Sequence, residues 1–75
     1  MNIKDILIIT VIAIIVSNDD KAKQALENKH LQEWFIVRTM EVMNGKFDYE
    51  DVSIVVHWLF EKIKENLDNN GIRLI

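Results

Sequence analysis

Cysteine and proline are absent from this 75-residue chain, and glycine occurs only at Gly45 and Gly71. Without cysteine there is no disulfide and no thiolate metal site, the devices that steady many domains of this size. A single core in so short a chain supplies only about 3–5 kcal/mol, so oligomerisation is the staple that remains open. The scarcity of backbone breakers favours a few long helices over many short strands joined by turns. Charge of one sign is also lacking: the net charge is only -3, with basic residues interleaved among acids. Phosphate backbones are held by basic patches, so nucleic acid is not an expected partner.

What is present is apolar. Hydrophobic residues make up 49% of the chain and charged residues 28%, the balance of a folded domain and not of a disordered segment. One domain over residues 1–75 is expected, without internal repeats or low-complexity tracts.

Three segments begin with a polar residue followed three positions later by aspartate: Asn2 with Asp5, Ser17 with Asp20, and Asp48 with Asp51. This is a looser form of the capping box, and its acids face the positive end of a helix dipole. Asp48 is the strongest start, because Phe47 and Val52 flank it at the two positions of a hydrophobic staple. Asn44-Gly45 and Asn70-Gly71 supply stops, glycine entering the left-handed region at little cost. The signals predict helices at 3–16, 18–43 and 48–69 with an apolar tail at 72–75, in which Ile72 touches Leu67 as in a Schellman motif. The expected fold is an all-α, three-helix bundle-like domain.

The third segment carries one stripe, Val52, Val56, Leu59, Phe60, Ile63 and Leu67, with Ile54 and Trp58 on nearly the opposite side. On the second, Ala22, Ala25, Leu26, Ile36, Val37, Met40 and Met43 share a broad face, and Leu31, Phe35 and Val42 form another across from it. A helix apolar on most sides is normally packed on several of them.

The first segment is the extreme. From Ile6 to Val16 the chain reads ILIITVIAIIV, with no charge and with Thr10 as its only hydroxyl. Its β-branched residues favour a strand, and the alternative fold is α+β, with this segment pairing with Ile72–Ile75. Its unbroken length favours a helix, since buried strands run about 4–8 residues. As a helix, the uncharged run from Ile6 to Asn18 rises about 20 Å, short of a hydrocarbon core about 30 Å thick. Asp19 and Asp20 stand where interfacial lysines would anchor a span, and neither a basic leader nor a small-residue cleavage site marks a secretory signal. A cytoplasmic protein is expected, with a membrane-associated regulator that inserts residues 3–16 shallowly as the alternative.

Two neighbours cannot cover an all-apolar helix on every side. The expected remedy is self-association, as a two-fold dimer through Ile8, Ile12 and Ile15. A second surface, Trp34, Phe35, Arg38, Ile54 and Trp58, combines residue types that anchor protein interfaces, and Trp34 with Arg38 and Trp58 with Lys62 stand at cation–π spacing. Met40 and Met43 add adaptable apolar surface nearby.

Catalytic and metal chemistry find little support. His30 and His57 stand on different helices with no closed ligand set, and Glu27 and Glu61 lie a turn from each. Ser17 reads as a cap, and Ser53 has no nearby base. Asp48, Glu50 and Asp51 form a cluster that a helix N-terminus collects for dipole reasons, and those acids would repel phosphates if the last two segments were a helix-turn-helix. No glycine-rich phosphate loop occurs. The expected function is therefore non-enzymatic, without metal or cofactor: a small inhibitor or adaptor that binds itself or a larger protein target and occludes a surface.

Overall fold

The computed structural model describes the backbone of residues 3–73 and the side chains of residues 3–67. It is all-α. Among the described residues there are four helices, α1 (Ile3–Ser17), α2 (Asp19–Leu26), α3 (Lys29–Val42) and α4 (Tyr49–Arg73), and no strand. The N-terminal strand alternative is overturned, because α1 carries the whole apolar run as helix. Asn2, the first expected cap, and Leu74 and Ile75 of the tail lie outside the described residues, as does the side chain of Ile72.

The three expected helices become four because the second breaks at Glu27 and Asn28. Asn28 takes an extended conformation (φ -141°, ψ 105°), and its side chain accepts a hydrogen bond from the His30 N–H at 2.9 Å, capping α3. Gln32 then reaches back across the corner, its amide donating to the Ala25 carbonyl at 2.8 Å. Ala25 and Gln32 are seven residues apart, two helical turns, so the apolar period runs through the corner undisturbed and conceals it.

The Ser17 cap is also corrected. Ser17 ends α1, and its hydroxyl donates backwards to the Ala13 carbonyl at 2.8 Å. Asn18 turns the chain into α2 with its own amide donating to the Ile14 carbonyl at 2.9 Å. By contrast, Asp48 caps α4 as expected, accepting the Asp51 N–H at 3.0 Å, and Phe47 packs against the core that contains Val52. Asn44 (φ 57°) and Gly45 (φ 75°) make the left-handed stop after α3. Gly71 does not stop α4, which continues to Arg73. A single glycine costs a helix about 1 kcal/mol, and no proline follows to end it.

Every helix touches the other three. The core gathers Leu7, Val11, Ile14 and Ile15 from α1, Ala22 and Ala25 from α2, Phe35 and Ile36 from α3, and Val52, Val55, Val56, Leu59 and Phe60 from α4. Phe35 and Phe60 meet edge to face with centroids 5.1 Å apart. At 1.5 Å per residue α4 is about 37 Å long and outruns its neighbours. That overhang leaves Leu67 exposed although the sequence stripe places it inward.

Candidate functional site

The exposed side of α1 is built from isoleucine and valine. Ile3, Ile6, Ile9, Ile12 and Val16 recur at three- and four-residue spacing and keep between 42% and 70% of their surface in water. Here the expected interface is corrected in two of three positions. Ile15 is buried and Ile8 packs against the core, whereas Ile12 does face outward. Thr10 does not mark a wet face either, because its hydroxyl donates to the Ile6 carbonyl at 2.8 Å and is satisfied within the helix.

Two open grooves flank α1. Against α4, Ile3 and Leu7 share a groove of about 460 Å³ with Phe47, Asp51, Ile54 and Val55. Against α3, Ile9, Thr10 and Ala13 share one of about 400 Å³ with Arg38 and Val42. Ile54 is 61% exposed, and Trp58, a turn further along α4, is 50% exposed. Ile54 and Val42 thus extend the α1 stripe on its two sides into an apolar belt, with Trp58 continuing the α4 side.

The second expected surface is only partly brought together. Phe35 is a correction: it is fully buried, held edge to face by Trp34 at 5.0 Å and by Phe60, so it belongs to the core and not to a binding face. Ile54 and Arg38 lie in different grooves, and Trp34 lines neither. Trp34 is half-covered, with the Lys21 ammonium 4.6 Å from its ring centre. Neither expected cation–π pair carries that contact: Arg38 pairs with Glu41 at 3.5 Å and Lys62 with Glu65 at 3.9 Å, both in water.

A polar cleft of about 420 Å³ lies between α2, α3 and α4, lined by Leu26, Glu27, Lys29, Gln32, His57, Phe60, Glu61, Lys64 and Glu65. Gln32 organises it and was not singled out from the sequence. Its Nε2 donates to Ala25, which turns Oε1 towards Nδ1 of the half-buried His57. A carbonyl oxygen only accepts, so Nδ1 carries the proton. Lys64 reaches Glu27 across the same cleft at 3.4 Å. On the neighbouring surface the Tyr49 hydroxyl donates to Glu33. That hydrogen bond to a carboxylate, with smaller contributions from desolvation and the nearby charge, raises the Tyr49 pKa above 10.0. No group of three or more His, Asp or Glu side chains among the described residues is arranged to hold a metal ion. Among the described residues that line the cleft there is no serine or threonine for its imidazole to activate.

No helix among the described residues is long and apolar enough to cross a membrane. Compared with protein-family models, curated proteins and solved structures, the chain matches none.

Proposed function

We propose that this protein is a non-enzymatic binding module, an inhibitor or adaptor that acts by laying the α1 belt against another polypeptide and occluding the surface it covers. The observation that carries this reading is the exposed belt itself. Ile3, Ile6, Ile9, Ile12, Val16, Val42, Ile54 and Trp58 each keep between 42% and 70% of their surface in water, and clustered exposed apolar residues mark interaction sites. At about 25 cal/mol per Å², covering the belt is a large driving force before the cost of association is subtracted. Trp58 supplies an anchor of the kind that dominates interface energetics.

The same apolar side of α1 supports a second reading, shallow insertion at a lipid surface. Two measurements together decide. Tagged protein and its Ile9→Lys and Trp58→Ala variants are used to capture partners from extract of the native host, and the untagged chain is floated with lipid vesicles. The proposal expects partners that are lost with both variants while far-UV helicity is unchanged, and no flotation. Flotation that Ile9→Lys abolishes, with no partner captured, would replace the docking reading with the lipid one.

A further inference from the structure

The corner at Glu27 and Asn28 is a break that the chain is able to close. Ala22, Ala25, Gln32, Phe35, Ile36 and Thr39, the buried residues of α2 and α3, would share a single face of one straight helix from Asp19 to Val42. Neither glycine nor proline interrupts that span. The bend rests on two side chains. Asn28 caps α3 by accepting the His30 N–H at 2.9 Å, and Gln32 donates to the Ala25 carbonyl at 2.8 Å while His57 of α4 holds the other end of its amide. In a straight helix the Ala25 carbonyl would accept the Lys29 N–H, which has no acceptor among the described residues. Gln32 therefore stands in for the backbone bond that the corner lacks, and it competes with the helix for the same oxygen.

Each half of the molecule is tied within itself. Asn18 fastens α1 to α2, its amide donating to the Ile14 carbonyl at 2.9 Å and its own carbonyl accepting the Ala22 N–H at 2.8 Å. Phe35 against Phe60, and the Tyr49 hydroxyl on Glu33, fasten α3 to α4. Straightening the corner swings the first half off the second and bares the core on both, Leu7 and Val11 on one side and Ile36 and Val56 on the other. A lone chain does not hold that state, because the burial of those side chains is lost. The surface shaped to cover each half is the other half, and a second copy supplies it. We infer that the corner is a hinge with two positions: bent, it closes the monomer described above, and straight, it exchanges the α1–α2 hairpin with a second copy, which covers α3 and α4 in its place. The exchange leaves the α1 belt facing outward and does not depend on what covers it.

Lys29→Pro separates the two positions. Lys29 is the first residue of α3, the helix position that proline favours, and Asn28 before it already has the extended backbone (φ -141°, ψ 105°) that a following proline requires. Proline there fits the corner and blocks the straight helix. The intact chain, Asn28→Ala, Gln32→Leu and Lys29→Pro are each unfolded and refolded at low and high protein concentration, and the products are sized by chromatography with light scattering. The expected result is a dimer formed at high concentration. Asn28→Ala, which trades a cap for a strong helix former, should raise its association constant about tenfold for each of the two hinges, and Gln32→Leu should raise it too. Lys29→Pro should stay monomeric with unchanged far-UV helicity. Exchange itself is read with Ile3→Cys and Ile54→Cys in one chain, two positions that line the same groove between α1 and α4 where no native cysteine interferes. A short bis-maleimide should join them within the chain in the monomer and between chains in the dimer. Three results overturn the inference: no dimer, or one that neither Asn28→Ala nor Gln32→Leu enriches; a dimer that Lys29→Pro leaves as abundant; and a dimer whose cross-links stay within each chain.

Discussion

Thr39 offers a sharp test of the packing described above. It sits on the inner face of α3, fully buried, and its hydroxyl has no hydrogen-bond partner. A buried hydroxyl left unpaired costs about 1–3 kcal/mol in lost hydration. Thr39→Val puts a methyl in place of that hydroxyl on a similar shape, and the two residues have nearly equal helix propensity. The change therefore isolates the hydroxyl, and it should stabilise the fold by about 1–2 kcal/mol. In a domain of this length that corresponds to a rise in Tm of roughly 4–8 °C per kcal/mol. Thr39→Ser keeps the unpaired hydroxyl and deletes the methyl, so it should lose about 1 kcal/mol. Urea unfolding followed by far-UV circular dichroism reads both changes, at one fixed protein concentration because self-association would add its own stabilisation. A Thr39→Val variant no more stable than the parent would refute the reasoning, since it would mean that the hydroxyl is satisfied, for example by a carbonyl one turn back on α3.

Three further outcomes are expected. Gly45→Ala should cost about 1 kcal/mol through backbone strain alone, since φ is 75° and a Cβ would meet nothing within 4 Å; a lower urea midpoint at unchanged slope checks it. Tyr49 is the only tyrosine, so its ionisation can be followed by ultraviolet absorbance: the midpoint should lie above 10.0 and fall towards the ordinary value in Glu33→Gln, which removes the carboxylate but not the desolvation. Because the folded pKa is the raised one, the stability that this bond contributes is fully present below about pH 10 and is lost as pH rises through the folded value. Gln32→Leu removes the ties to Ala25 and His57 and should cost about 1–3 kcal/mol, with faster amide exchange at the Glu27–Asn28 corner than elsewhere; uniform exchange would argue against Gln32 as the corner's fastening.

Legibility in the sequence followed one-sidedness. The inner stripe of α4 could be read from Val52 to Ile63 because charged residues occupy most of the other side, and Ile54 and Trp58 were correctly set opposite it. Asp48, Asn44 and Gly45 were legible because turn and cap chemistry is local. The α2–α3 corner was not, since a break that preserves the seven-residue spacing leaves the hydrophobic period intact and only Asn28 signals it. Phe35 and Val37 exchanged roles for a related reason. With Trp34, Phe35, Ile36 and Val37 in succession, composition does not say which of the four turn inward, and the structure buries Phe35 and Ile36. At the proposed docking surface, the presence of an uncovered side of α1 followed from its composition, but its phase did not. Ile8, Ile12 and Ile15 are chemically the same as Ile6, Ile9 and Ile12, and only the shapes of α3 and α4 choose between the two sets.

That last point gives α1 an unusual mechanical property. Most helices in small proteins are keyed in roll by polarity, since turning them about their axis would bury charge. From Ile6 to Val16 α1 has no such key, because Thr10 is satisfied within the helix and nothing charged intervenes. Its angular setting is held by shape alone, in the fit of residues such as Leu7, Val11 and Ile14 against their neighbours. A polar side chain introduced at Ile9 would supply the missing key and pin the present orientation. The same side chain at Val11 would drive the helix to turn, trading one row of isoleucines for another at the surface. Point changes in this stretch therefore select which face the protein shows as well as how firmly it folds.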